Sequence, residues 1–447
     1  MRIDQNNPYP SLTPAYSSKV PEARMRKAAC LALGAAGRAK MLVLSDCPFP
    51  GLDGQQDLIW PISAPLLEAL HITAPGGDAG AYCLPDALVY GSFPKLTKAS
   101  LLHCTFSWNI AGFFCNLTEL RLTHRSSSQL LVPDVSKTLH ALQLMPSLES
   151  LHLSLESRDG YPVESDEGSF HIPPGLAKVK LPRLAVLELG LNDLLAVVLL
   201  SHISHPRERL KVTCSLPTVE RARAIVECLK QFRLFKMEDG FSMDTVYLDS
   251  PFSTWDIKVY DLSRPEELPP LWAAIKVPFD FRAQICDVIG AGLPLGDMKT
   301  VMVTSMHVYR SVQQHLSRCT TLCASQWSIA QRWDFFVHGS FIGEGGDQVL
   351  PALHTLILHE LDLSALPKTS KNPERLTIPK FLKELGDICQ FFEWLKLFDC
   401  RIYAQEKLDV LRGKVQHFER HWSPSFPGYR GENHASTMRK LLVDGRM

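Results

Sequence analysis

The sequence predicts an α/β repeat protein, and three observations point to that class. One phrase, Pro-x-Leu-x-x-Leu-x-Leu, keeps returning. Successive copies are spaced roughly 21 to 36 residues apart, room for a strand and a returning helix. The stretches between copies carry apolar residues at helical spacing.

The clearest copies are Pro65–Ile72, Pro94–Leu101, Asn116–Leu122, Pro146–Leu153, Pro182–Leu189 and Pro351–Leu358, with looser ones at Met41–Leu44, Leu210–Cys214, Thr245–Leu248, Thr300–Val303 and Leu395–Phe398. In each, the x-Leu-x-Leu part has the two-residue period of a strand, so its leucines turn to one side and its x positions to the other. The Pro and first Leu set the turn leading in. Between copies, Gln129–Leu144 places Leu131, Val135, Leu139 and Leu142 on one helical face. Thr218–Phe232 does the same with Val219, Ala222, Ile225, Val226 and Leu229, and Pro217 just ahead suits its first turn. Further helices are expected over His307–Leu316, Ile378–Phe391 and Gln405–Val415, and a strand over Glu393–Arg401. The pattern weakens over 251–298, where Ser253–Tyr260 reads as an irregular strand and Pro265–Pro278 as a loop.

A strand plus a helix in units of this length is the leucine-rich repeat. The expected architecture is therefore an α/β leucine-rich-repeat solenoid, a horseshoe with a parallel concave sheet and outer helices. A doubly wound α/β enzyme also alternates strands and helices, but its strands are covered on both faces and read as continuous Val and Ile runs. Here the strands are short, Leu-dominated and half polar. No repeat buries enough apolar surface to hold itself folded, so stability must come from stacking neighbours. The expected organisation is an irregular segment over 1–38, a repeat domain over 39–422, irregular around 251–298, and a flexible tail over 423–447, where Ser423–Gly431 is rich in turn residues.

Composition narrows the function. The chain has 47 Lys and Arg against 47 Asp and Glu, so no global field attracts nucleic acid or an anionic membrane. Residues 1–7 contain no apolar core of a secretory signal, and neither Ala28–Ala36 nor Leu194–Leu200 is long enough to span a bilayer. The 12 cysteines are scattered beside apolar positions, as Cys104, Cys214, Cys228 and Cys400 are, which is the usage of reduced core thiols. A cytoplasmic or nuclear protein is expected, and Asn116-Leu117-Thr118 reads as a chance glycosylation match.

Catalytic patterns are not found. There is no Gly-x-Ser-x-Gly elbow, phosphate-binding loop or His-Glu-x-x-His run. Gly343–Asp347 lacks the following Gly-Lys-Ser/Thr of a phosphate cradle and reads as a loop. Cys319 and Cys323 have metal-compatible spacing without a second pair. His417 and His421 would share one face of a helix with Glu419 pointing elsewhere, and also lack further ligands. No catalytic, cofactor or metal residues are assigned. The working surface is instead the set of x positions on the concave side: Ala69, His71, Lys98, Ser100, Glu119, Arg121, Ser150, His152, Val186, Glu188, Thr355, Ile357, Trp394 and Lys396. Mixed charge with an exposed Trp suits a protein ligand.

The stretches Ala64–Leu70, Leu84–Leu96, Leu101–Trp108, Asn116–Leu120, Met145–Leu151, Leu181–Leu184 and Leu395–Cys400 together resemble the F-box-like leucine-rich-repeat proteins of mushroom-forming fungi, over about 39–422. The resemblance implies a substrate-recognition part of a cullin-based ubiquitin ligase. Members of that family open with an F-box, a short helical module that docks on the ligase adaptor. Residues 1–38 do not show its Leu-Pro opening, apolar helix and Trp-rich segment. The expectation is therefore a recognition domain for an unknown protein, with the adaptor as a partner where the full gene supplies the module.

Overall fold

In the computed structural model, the residues described are 24, 36–45, 64–74, 82–83, 92–105, 115–125, 135–156, 176, 178–191, 193–203, 209–215, 218–230, 245–249, 254–260, 271–276, 282–293, 295–304, 306–325, 350–359, 392–398, 400, 409 and 411–421. The fold is α/β with a mostly parallel sheet arrangement. It divides into two compact units, Met1–Leu216 and Pro217–Met447. Most of 1–38, the helix expected over Ile378–Phe391, the Gly343–Asp347 loop and the tail over 423–447 lie outside the described residues.

The first unit contains β1 (Met41–Ser45), β2 (Ala69–Thr73), β3 (Tyr82–Cys83), β4 (Lys98–Leu102), β5 (Cys104–Thr105), β6 (Glu119–Arg125), α1 (Val135–Gln143), β7 (Ser150–Glu156), β8 (Val186–Gly190), α2 (Asp193–His202) and β9 (Arg209–Ser215). Its main sheet runs β1-β2-β4-β6-β7-β8-β9, every neighbour parallel, while β3 and β5 pair separately. The repeat phrase explains the regularity. Pro65, Pro94, Pro146 and Pro182 each occupy the second position of a tight turn, where their fixed φ is already correct. Each turn is closed by a backbone bond three residues on: Leu67 N–H to Ala64 O at 3.1 Å, Leu96 to Phe93 at 3.0 Å, Leu148 to Met145 at 3.1 Å and Leu184 to Leu181 at 3.1 Å.

Beyond the turn, one carbonyl accepts two successive N–H groups from the next strand. Glu68 and Ala69 both donate to Lys40 O, Thr97 and Lys98 to Glu68 O, Thr118 and Glu119 to Thr97 O, Glu149 and Ser150 to Thr118 O, and Ala185 and Val186 to Glu149 O, all at 2.7–3.1 Å. The hydroxyls of Thr97 and Thr118 add third bonds to Glu68 O and Thr97 O. This arrangement fixes register to the residue. Leu42, Leu70, Ala99, Leu120, Leu151, Leu187 and Leu210 line up as one fully buried ladder. Leu44, Ile72, Leu101, Leu122, Leu153, Leu189 and Val212 form the next, with Leu122 alone among them half-buried. In helix α2, Leu195, Ala196, Val198, Leu199 and Leu200 are buried while Val197, Ser201 and His202 are half-buried, the expected behaviour of an apolar segment too short for a membrane.

The second unit contains α3 (Val219–Lys230), β10 (Thr245–Asp249), β11 (Thr254–Tyr260), β12 (Leu271–Lys276), α4 (Arg282–Gly292), β13 (Thr300–Val303), α5 (Met306–Val312), β14 (Thr321–Ser325), β15 (Thr355–His359), β16 (Trp394–Phe398) and β17 (His417–His421). Its sheet order is β12-β11-β10-β13-β14-β15-β16-β17. The Thr218 hydroxyl accepts the Arg221 N–H and caps α3. Gly292 lies so close to the Val226 side chain that any Cβ there would collide, which lets α4 approach α3. The same turn and shared carbonyl recur: Cys319 N–H bonds Leu316 O, Leu353 N–H bonds Leu350 O, and Lys299 O, Thr320 O and His354 O each accept a pair of N–H groups.

Three expectations are corrected here. Pro265–Pro278 is not all loop, because Leu271–Lys276 is strand β12. It pairs antiparallel with β11, which pairs antiparallel with β10, so the sheet is not parallel throughout. The apolar positions Leu271, Ala273 and Ile275 alternate and are buried, a period-2 signal hidden by the flanking prolines. His417–His421 is a strand, not a helix, so Glu419 shares a face with both histidines. The outward column Tyr247, Met302, Cys323 and Ile357 is buried, so these strands do not present the open face that alternation predicted. The sequence shows why: the strands carry apolar residues on both sides, as strands covered on both faces do. Among the described residues, no helix is long and apolar enough to cross a membrane.

The two sides of β7 should respond differently to truncation. Leu151→Ala, at 0% exposure, should cost about 3 kcal/mol, whereas Ser150→Ala on the outward side should change stability by under about 0.5 kcal/mol. Denaturant titration of the two variants checks this contrast.

Candidate functional site

Register converts single positions into columns. In the first unit the outward residues form one column of Met41, Ala69, Lys98, Glu119, Ser150, Val186 and Arg209, and a second of Val43, His71, Ser100, Arg121, His152, Glu188 and Lys211. A third reads Ser45, Thr73, Leu102, Thr123, Ser154, Gly190 and Thr213, mostly hydroxyls. Gly190 is needed there, since a Cβ would sit 2.8 Å from Ser154 Oγ.

Charges on this face are matched by neighbouring strands. Lys98 Nζ lies 3.4 Å from Glu119 Oε2, both about half exposed. Deeper in, Glu188 is gripped from two sides: His152 Nδ1 lies 2.8 Å from Oε2, and Arg209 Nη2 lies 2.9 Å from Oε1. A carboxylate only accepts, so His152 Nδ1 must carry the proton. The bond from His152 is the main reason the Glu188 carboxyl is held down at about 2. The positive charges of Arg209, His152 and Lys211 add to it, and partial burial works against them. Arg121 differs. Its side chain is exposed and makes no ion pair or hydrogen bond among the described residues.

Ten of the expected surface residues are thus brought together on adjacent strands. Ala69, Lys98, Glu119, Ser150 and Val186 stand in one column, and His71, Ser100, Arg121, His152 and Glu188 in the next. Ala69 is a correction. It is 6% exposed, a single methyl between the longer side chains of Met41 and Lys98 in register. Arg209 and Lys211 were missed, although their x positions beside Leu210 and Val212 carried the signal.

The second unit holds the other four. Thr355 and Trp394 are paired in register, as are Ile357 and Lys396. Ile357 is the second correction: it is 5% exposed, within the buried outward column, and contributes to packing. Trp394 stacks on His417 with ring centroids 4.2 Å apart and planes 26° from parallel. Lys396 Nζ stands 5.0 Å from the Trp394 ring centre and 3.0 Å from Glu419 Oε2. His417 and Glu419 were not foreseen as neighbours because β17 reads as helix from sequence. A further unpredicted feature is Thr245, Thr300, Thr321 and Thr355 standing in register on four strands.

The chain matches no family model and no curated protein.

Most of the described cysteines show little reactive character. Cys104, Cys214, Cys228, Cys319, Cys323 and Cys400 are buried, while Cys115 is exposed. Burial pushes the Cys228 thiol up to about 11, Cys319 to about 12, and Cys323 further still. Cys319 Sγ donates to Thr321 O, and Cys400 Sγ lies within donating reach of Leu358 O and Phe398 O. Among the described residues, no group of three or more His, Cys, Asp or Glu could hold a metal ion.

Two outcomes follow. On brief alkylation of the native protein, mass-spectrometric mapping should find Cys115 modified well before those six buried thiols. Because the folded-state pKa of Glu188 is depressed, its stabilising contribution is present above about pH 4.5 and lost as pH falls towards 2. Glu188→Gln should therefore unfold more easily than wild type at pH 6, by at most about 3 kcal/mol, and the two denaturation curves should converge near pH 2.

Proposed function

We propose that the chain is a non-catalytic recognition protein, a leucine-rich-repeat solenoid whose outward strand face in the first unit grips another protein. The observation that carries this reading is the contrast between the two sides of that sheet. One side is a closed leucine ladder. The other is a polar display in which each charged residue is set by its strand's register. A rigid display of this kind loses little side-chain entropy on binding.

The electrostatics favour recognition over acid–base chemistry. Glu188 is occupied by His152 and Arg209 and stays ionised across the physiological range, so it is a poor proton donor at neutral pH. Its role on this face is to hold the His152 ring and the Arg209 guanidinium in fixed positions. The resemblance to F-box-like proteins extends the proposal to substrate recognition for a cullin-based ubiquitin ligase, and co-purification with the ligase adaptor tests that extension separately.

Lys98→Ala combined with Arg121→Ala removes two exposed cations without opening the core. Proximity labelling in the native cell should lose the partners captured by the wild-type chain, while thermal unfolding stays within about 2 °C, as expected for surface changes. Capture that persists unchanged in the double variant would contradict the assignment of this face.

A further inference from the structure

We propose that the partner segment seated on the first unit's face is acidic, with one of its carboxylates on Arg121. The inference rests on that face being the recognition surface, and it adds the chemistry of what is recognised.

Charge balance is the first argument. Over the first three outward positions of each strand, four cations (Lys98, Arg121, Arg209 and Lys211) face two carboxylates (Glu119 and Glu188), a net of +2 with the histidines neutral. Both carboxylates are already spent, Glu119 on Lys98 and Glu188 on His152 and Arg209. Arg121, at the middle of the sheet, has no such partner among the described residues. A guanidinium in that setting presents a planar fork that a carboxylate fills with two hydrogen bonds.

The second argument is an unmet hydrogen bond on the same strand. Thr123, two residues beyond Arg121 and on the same face, is 7% exposed, and its Oγ1 has no hydrogen-bond partner. Buried hydroxyls are seldom left so. Two residues of strand span about 6.6 Å, within the reach of one extended segment lying along β6. An acidic peptide laid there would supply a carboxylate for Arg121 and a main-chain carbonyl for the Thr123 hydroxyl. A continuous polyphosphate fits less well, because Glu119 and Glu188 interleave with the cations and would repel evenly spaced anionic groups.

Selection of a random-peptide display library on the full chain tests this, followed by fluorescence titration of the enriched peptides against wild type, Arg121→Gln and Arg121→Lys. The expected result is enrichment of peptides rich in Asp and Glu. Their affinity should fall roughly tenfold or more in Arg121→Gln, recover in part in Arg121→Lys, and weaken with added salt. Thermal unfolding of each variant confirms that it is folded. Peptides that need Arg121 but carry no excess of acidic residues would overturn the acidic partner while sparing the face. Peptides bound equally well by Arg121→Gln and by the Lys98→Ala, Arg121→Ala double variant would overturn both. A selection that enriches nothing, or a single-stranded oligonucleotide that competes as well as the peptides, would also overturn the proposal.

Discussion

The constraint on which the rest of this structure depends is a shared carbonyl at the head of eight strands, β2, β4, β6, β7, β8, β14, β15 and β16. One oxygen, such as Thr118 O, receives two consecutive N–H groups from the strand that follows, here those of Glu149 and Ser150. The Pro turn just before it delivers those groups in the right orientation. A slip of one residue would break both bonds and send every leucine of that strand to the wrong side. Turn chemistry and hydrophobic burial therefore enforce the same register, the kind of agreement between local and global preferences that makes a sequence specify one structure.

The polar side inherits its order from the same junction. Lys98 meets Glu119, and Glu188 meets both His152 and Arg209, because strands of the same register place equivalent positions side by side. No long-range steering is needed to assemble the network. What the electrostatics add is selectivity between positions. Glu188 is locked as an acceptor, whereas Arg121 is left able to bind something else. In the second unit the same geometry produces a different result. Tyr247, Met302, Cys323 and Ile357 fill the outward column with apolar groups, and the polar chemistry shifts to Lys396, His417 and Glu419 on β16 and β17, beside Trp394, which is half-buried rather than exposed as expected.

Much of this was legible in the sequence, for physical reasons that also mark the limits. Where a copy had both its Pro turn and its alternating leucines, as at Pro146–Leu153 or Pro182–Leu189, strand, register and outward residues all followed. Where the phrase lost its Pro, the strand was harder to see: β14 begins after Ser317-Arg318 and its Thr-Leu-Cys-Ala-Ser run lacks paired leucines. Strand β17, His-Phe-Glu-Arg-His, has one apolar residue and spacing that suits a helix equally well; its partner β16 decides the matter. Burial was the least legible property. Ala69 and Ile357 occupy outward positions by periodicity, yet alternation says which way a side chain points and not what stands over it. The pairing of Glu188 with Arg209 required knowing that β8 and β9 are neighbours, which spacing suggests but does not establish.

Native-state hydrogen exchange on the intact chain tests the central claim most directly, because the shared carbonyls make a specific demand on individual amides. The N–H groups of Ser150 and Val186 should exchange as slowly as those of Leu151 and Leu187 in the strands behind them, since each pair would be released only when the whole junction opens. If Ser150 and Val186 instead exchange at the rate of exposed loop amides while Leu151 and Leu187 remain protected, the junction does not pin the register. The ordered polar face would then have to be explained some other way.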